Sequence, residues 1–263
     1  MTNLSDVIVP STVEDAVAAF GDGSNVTVLA GGTIVMPDLK LGHRKPERTL
    51  FLGRAGLDGI ERSGGTYRIG AMTPISRLVS NAPEPLSSFA AHVADYEIRG
   101  QATIGGNLCA PPGESAPRGD LQAPLLALGA HVRSAGAGGV RTEPVEDFLR
   151  GGVAGRLVLE IEVDVPRRAA TAGVRRPHAH AYSILAVAAA ETADGIRVAI
   201  LGAGSHAVRA ISVERSLAEG ASNAGAAQKV LDDVQPVDDA VASGWYRQEV
   251  LPNLVARALD DLS

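Results

Sequence analysis

Cysteine is almost missing from this chain: Cys109 stands alone in 263 residues. One thiol makes no internal disulfide and cannot supply the four thiolates of an iron–sulfur site. Any such cluster in this protein's chemistry must be carried by another chain. Aromatic residues are scarce at 3% against 45% apolar overall, so the core must be built from Ala, Val, Leu and Ile. No apolar run reaches the roughly 18 residues that span a bilayer. Positive charge is not in excess either, and the formal charge of −6 argues against broad binding to nucleic acid or anionic membranes. The opening Met1-Thr2-Asn3-Leu4-Ser5-Asp6 lacks the basic start and apolar centre of a signal peptide. The chain therefore reads as cytoplasmic. No spacing of His, Cys, Asp and Glu suggests a metal site.

What is abundant is glycine, and two clusters of it stand out. Thr103-Ile104-Gly105-Gly106-Asn107 and Leu29-Ala30-Gly31-Gly32-Thr33 each contain or follow apolar residues and then turn. Such loops let backbone N–H groups approach a phosphate-bearing ligand where a larger side chain would block the way. Neither is a Gly-x-Gly-x-x-Gly fingerprint or a Walker lysine loop. A single Gly-Gly pair is usually only a turn. Gly202-Ala203-Gly204 lacks a third glycine and a following helix and is set aside. Cys109 reads as a small buried apolar residue.

Around these clusters the pattern predicts a β-α-β unit. A strand at Val7–Pro10 leads to a helix capped by Ser11 or Thr12, with Val13, Ala16, Val17 and Phe20 at helical spacing. A strand at Val26–Leu29, a short helix from Pro37 to Leu41 and a strand at Leu50–Leu52 follow. Next come a hairpin through Gly64-Gly65, helices at Pro74–Val79, Pro85–Ala94 and Leu121–Leu128, and strands at Ala130–Arg133 and Leu157–Val165. Residues Ala169–Pro177 read as a flexible loop. Two antiparallel strands, Tyr182–Thr192 and Ile196–Leu201, and three Ala-rich helices complete the chain.

The glycine clusters in their full context are Val28-Leu29-Ala30-Gly31-Gly32-Thr33 and Arg99 to Leu108. With the run from Asp120 to Ala130, and Ala186–Ala190 and Leu201–Ala210 near the end, the order resembles the flavin-binding subunit of the molybdenum hydroxylases. That family includes the medium subunit of bacterial carbon monoxide dehydrogenase and the flavin domain of xanthine dehydrogenase. The resemblance implies an α+β, two-subdomain FAD-binding fold of the vanillyl-alcohol-oxidase-like kind over residues 1–165, with subdomains about 1–56 and 57–165. A small α+β C-terminal domain would span 166–263.

It also implies FAD as the cofactor. Val28, Leu29, Ala30, Gly31, Gly32, Thr33 and Ile34 would wrap its pyrophosphate. Thr103, Ile104, Gly105, Gly106 and Asn107 would serve the phosphate and ribityl region. Asp120 would take the adenosine half, unless it caps the helix behind it. Leu159 and Tyr182 complete the implied cofactor-binding set. No catalytic residue is implied; Tyr182, His178 and His180 are the weak candidates for proton transfer, and exposed loop positions are the plainer account of the histidines. The implied partners are a molybdopterin-binding large subunit and a [2Fe-2S] small subunit, with electrons leaving FAD for an external acceptor. Two alternatives stay open. A stand-alone FAD oxidase or dehydrogenase is motivated by the long spacer Ala110–Gly119, and a non-catalytic nucleotide- or partner-binding descendant is the other.

Overall fold

Apolar residues at alternating, then helical, then alternating spacing build the first layered unit. It runs β1 (Val7–Ile8), α1 (Val13–Phe20), β2 (Val26–Leu29), α2 (Val35–Leu41), β3 (Arg48–Phe51). The computed structural model describes residues 6–111, 119–175 and 183–263. The strands form a parallel sheet in the order β1-β3-β2. Thr12 caps α1, its hydroxyl accepting from the Asp15 N–H at 3.0 Å, which satisfies one of the helix's orphan donors. Ala16 and Phe20 on α1 are buried with Leu50, Leu52, Leu157 and Leu159. The last two come from the next unit, so one core joins both.

The second unit is β4 (Ile60–Ser63), β5 (Thr66–Gly70), α3 (Ile75–Asn81), α4 (Leu86–Ala90), α5 (Tyr96–Gln101), α6 (Ile104–Leu108), α7 (Gln122–Ala127), β6 (His131–Gly136), β7 (Gly139–Pro144), α8 (Val145–Arg150) and β8 (Leu157–Asp164). Its antiparallel sheet has the order β4-β5-β8-β6-β7. The expected hairpin is present, with Ile60 opposite Ile69. β8, expected to be half buried, is central, and Leu157, Val158, Leu159, Ile161 and Val163 are all buried. Between Pro85 and Ala94 only Leu86–Ala90 is helical; Ala94 has a φ of 42°, which no helix accommodates.

The third unit holds β9 (Arg168–Arg175), β10 (Ser183–Thr192), β11 (Gly195–Leu201), β12 (Val208–Arg209), α9 (Ile211–Ala218), α10 (Asn223–Ala227), a 3₁₀ turn at Gln228–Asp232 and α11 (Gly244–Leu262). Its antiparallel sheet runs β12-β11-β10-β9. The flexible loop expected from Ala169 is instead β9, paired along β10 from Arg168↔Glu191 to Arg175↔Ser183. Small alternating residues explain this: Ala170 and Ala172 are buried in a cluster that contains Leu251, Leu254, Val255 and Ala258 of α11. On the other face, Ala186, Ala188, Ala190 and Ala199 join the second unit's core with Leu125 and Leu126 of α7. Among the described residues no helix is long and apolar enough to cross a membrane.

Candidate functional site

A cleft of about 500 Å³ opens between the first and second units, within the usual range for a small-molecule site. β2 ends at its edge. The chain turns there through Gly32 at a φ of 74°, a conformation that favours glycine. Val28, Ala30, Gly31, Gly32, Thr33 and Ile34 all line the cleft. Among the described residues the backbone N–H groups of Gly31, Gly32, Thr33 and Ile34 donate to no protein acceptor. This leaves a run of donors facing a cavity, the arrangement that suits an anionic group.

The second glycine segment is built differently. Thr103 is the cap of α6, a helix of five residues, rather than part of an open loop. Its hydroxyl accepts from Gly106 N–H at 3.2 Å, and its carbonyl accepts from Asn107 N–H at 2.9 Å. Ile104 N–H donates to the Thr73 carbonyl at 3.0 Å and Gly105 N–H to the Ala71 carbonyl at 2.9 Å. Every one of these donors is committed to protein. Among the described residues the donors of this segment that remain uncommitted are the Thr103 N–H and hydroxyl and the Asn107 side-chain amide. Asn107 Oδ1 accepts from Leu121 N–H at 2.8 Å, which fixes the side chain beside the entrance of α7. Thr103, Gly105, Gly106, Asn107 and Asp120 line the cleft.

The two segments meet. A Cβ placed on Gly31 would collide with the carbonyl oxygen of Gln101, and one on Gly106 would come within 3.9 Å of Ala30 Cβ. Gly31 is thus demanded by the crossing of two backbones, not by a ligand's approach. Gly105 is also a packing glycine, since a Cβ there would lie 2.8 Å from Ala71 Cβ and 2.9 Å from Ala71 O.

Residues 2–166 match the family model described as the FAD binding domain in molybdopterin dehydrogenase, and residues 168–262 match the CO dehydrogenase flavoprotein C-terminal domain. The chain belongs to this FAD-binding family. It is 30% identical to the carbon monoxide dehydrogenase medium chain of Hydrogenophaga pseudoflava, over 95% of this chain and 94% of that one. Identity to the 6-hydroxypseudooxynicotine dehydrogenase complex subunit alpha of Paenarthrobacter nicotinovorans is 29%, covering 97% and 93%. In fold it is similar to a structure of carbon monoxide dehydrogenase from Hydrogenophaga pseudoflava lacking the Mo-pyranopterin moiety. The TM-score is 0.85 at 27% identity, covering 100% of this chain and 98% of that one. As a medium FAD-binding subunit of the molybdenum hydroxylase type, it is part of an FAD-dependent oxidoreductase, and FAD is its cofactor.

The residues present fit that cofactor. The open N–H run suits a pyrophosphate, and Val26, Val28, Leu52, Met72 and Val158 give the cleft apolar walls. Of the expected positions, Leu29, Ile104 and Leu159 do not face the cleft. Leu29 sits at the end of β2. Ile104 is wholly buried in the second unit's core, and Leu159 lies beneath the cleft at 1% exposure while its neighbour Val158 lines it. Period-two alternation along β8 sends their side chains to opposite faces. Asp120 is not the cap of α7; that position falls to Leu121, which makes no capping side-chain bond. Tyr182, His178 and His180 lie outside the described residues.

Several lining residues were not singled out from the sequence. Val153, Ala154, Gly155 and Arg156 form one wall. Another glycine pair, Gly151-Gly152, precedes them and was the available signal. Gly155 has a φ of 68°, and a Cβ on Gly23 would lie 2.9 Å from its Cα, so the first two units touch backbone to backbone there. Arg156 bonds Glu143 at 2.6 Å and the Ser134 hydroxyl, and sits 5.5 Å over the Phe148 ring. Arg44 reaches the cleft from beyond α2, 3.7 Å from Asp38. Gln122, 2% exposed inside an apolar run, ties the site together. It donates to the Leu108 carbonyl at 3.0 Å and accepts from Ala207 N–H at 3.2 Å. Cys109, expected to be buried, is half-buried and borders the cleft; the surrounding protein desolvates its thiol and pushes it up to about 12. Among the described residues no three or more His, Cys, Asp or Glu side chains gather as a metal site.

Proposed function

We propose that this chain is an electron-transfer subunit that receives electrons from iron–sulfur clusters on a small [2Fe-2S] partner and delivers them to an external acceptor. A large molybdopterin-binding partner would carry the substrate chemistry. The observation that carries the reading is the cleft, with four consecutive N–H groups from Gly31 to Ile34 that find no acceptor among the described residues on one side and the α6 segment on the other. When bound, FAD supplies the one- and two-electron chemistry that protein side chains lack. The chain's own residues hold and orient it. Gly31–Ile34 donate to its pyrophosphate; Thr103 and Asn107 offer a hydroxyl and an amide to neighbouring oxygens. Asp120 accepts from sugar hydroxyls, and the apolar walls exclude water. We place the domain limits at 1–165 and 166–263.

Such a role needs no catalytic acid or base from this chain. A lone cysteine cannot hold the clusters, which fits a partner that does. The words "medium chain" and "complex subunit" in the relatives' names point the same way. The test is purification of the native protein with its visible spectrum recorded. The expected result is a flavin spectrum together with two co-purifying chains carrying iron–sulfur and molybdopterin. A yellow chain that stays alone, and whose flavin is bleached by a small molecule without partners, would overturn the reading in favour of a stand-alone dehydrogenase.

A further inference from the structure

The first residue of α7 is a side chain that its surroundings do not favour. Gln122 is followed by Ala123, Pro124, Leu125, Leu126 and Ala127, all buried as it is. A buried amide is costly unless its donor and its acceptor are both paired. Both are, and on different units. Nε2 donates to the carbonyl of Leu108, the last residue of α6, and Oε1 accepts from the Ala207 N–H, in the stretch between β11 and β12 of the third unit. One partner only accepts and the other only donates, so the amide has a single orientation. The junction around it is tight. Gln122 N–H donates to the Gly119 carbonyl at 2.9 Å. A Cβ on Gly119 would lie 2.5 Å from Gln122 Nε2 and 2.8 Å from the Asn107 carbonyl oxygen. Other ties between the third unit and the second are less directional. Ala186, Ala188 and Ala190 share a core with Leu125 and Leu126, and apolar burial has no preferred direction. The Arg209–Glu146 ion pair at 3.2 Å leaves 23% and 34% of its side chains exposed, where such pairs contribute little.

We infer that Gln122 is a positioning residue for the cofactor. It seats the third unit on α6 and α7 and, through Leu108, fixes the adjoining Asn107, so the cleft holds FAD at full strength only while the third unit is seated. This rests on the proposed function, in which Asn107 meets FAD. Gln122 does not line the cleft itself. Its effect is a coupling between two units that bond the two ends of one amide.

Gln122→Glu and Gln122→Met test this on the full chain. A protonated glutamic acid donates to Leu108 through its O–H and accepts from Ala207, as glutamine does; once ionised it turns an acceptor toward the Leu108 carbonyl. Burial raises the pKa of such a carboxyl, which puts its titration between about pH 6 and about pH 8.5. FAD affinity is read by flavin fluorescence, and the seat of the third unit by amide exchange over residues 201–209 of the FAD-free chain, each relative to the parent at the same pH. Gln122→Glu is expected to bind FAD within about twofold of the parent at about pH 6 and at least about tenfold more weakly at about pH 8.5, with faster exchange over 201–209 at the higher pH alone. Gln122→Met loses both bonds and is expected to bind weakly and exchange fast at both. Glu146→Gln, which breaks the part-exposed ion pair, stays within about twofold of the parent. Cys109, Asp120, His206 and Arg209 are the titratable residues within two positions of the bonded groups; the parent carries them too, so its own pH profile removes their share. Should Gln122→Met fail to fold, Gln122→Glu at the lower pH is its own folded control. Parent-like FAD affinity in both variants, with only exchange or Tm altered, would overturn the coupling and leave Gln122 a packing residue. So would a loss in Gln122→Glu that is the same at both pH values. A parent that takes no flavin would overturn the cofactor reading and the coupling with it, while the exchange arm shows separately whether Gln122 seats the third unit.

Discussion

Two glycine segments that look alike in sequence have opposite jobs in the fold. Leu29–Thr33 ends a parallel strand, and from Gly31 to Ile34 the N–H groups donate to no acceptor among the described residues; Thr103–Asn107 is a capped helical turn whose N–H groups from Ile104 to Asn107 all end on protein. The contrast shows that Gly-Gly alone does not mark a phosphate loop. What matters is where the backbone donors go. In the second segment glycine serves close packing: Gly105 lets α6 sit on Ala71, and from Ile104 to Asn107 only side chains are left to meet a ligand.

The largest effect separating the segments is expected at Gly31. Its Cβ would strike the Gln101 carbonyl, a backbone atom that cannot swing aside. Gly31→Ala should cost about 3 kcal/mol or more by overpacking, lowering Tm by roughly 6–12 °C and emptying the site of FAD. Gly106→Ala meets the Thr103 hydroxyl at 3.0 Å and Ala30 Cβ at an ordinary 3.9 Å, and should stay within about 1 kcal/mol of the parent. Equal losses for the two in thermal unfolding and flavin retention would erase the contrast.

Gly105→Ala sharpens it. The clash with Ala71 at 2.8 Å and 2.9 Å should cost about 1–3 kcal/mol. Since the Gly105 N–H already belongs to the Ala71 carbonyl, FAD affinity measured on the folded protein should change by less than about threefold, well below 1.4 kcal/mol. A larger loss of affinity would mean that this segment's backbone does serve the cofactor.

Asn107 divides structure from binding in one side chain. Its Oδ1 accepts from Leu121 N–H. Asn107→Ala leaves that N–H unpaired and should destabilise by about 1–3 kcal/mol. Asn107→Asp keeps an acceptor there but replaces the amide donors with negative charge. It should unfold near the parent temperature while binding FAD about tenfold more weakly. Parent-like affinity in the Asp variant would remove Asn107 from the cofactor contacts.

Much of this was legible in the sequence, and what was not has physical causes. The first β-α-β unit could be read because its periodicities are strong and Thr12 supplies a capping signal. The pairing of the two glycine segments in one cleft was legible from their shared context, but their difference was not, because it depends on Ala71 and Thr73, about thirty residues upstream of α6. β9 was missed because Ala-Ala-Thr-Ala-Gly has little β propensity of its own. Its strand state comes from pairing with β10 and from α11 needing small residues beneath it. The wall from Val153 to Arg156 had a sequence signal, Gly151-Gly152, yet a glycine pair points to the cleft only once the first two units are seen to meet at Gly23 and Gly155.

The smallest expected effect lies just past the second segment. Cys109 borders the cleft, and burial raises its thiol from 9.0 to about 12. The folded value lies above the unfolded one, so the stabilisation is present below about pH 9 and is lost as pH climbs toward the folded value. Between pH 8 and pH 10 the parent should therefore lose on the order of 1 kcal/mol more stability than Cys109→Ala. The slopes against pH are compared, so any packing loss in the variant cancels. Iodoacetamide at pH 8 should label the native thiol at least about tenfold more slowly than the unfolded one, because only the thiolate reacts. Equal labelling rates would mean that water reaches Cys109 freely at the cleft's edge, and the second segment would then be no better shielded than the first.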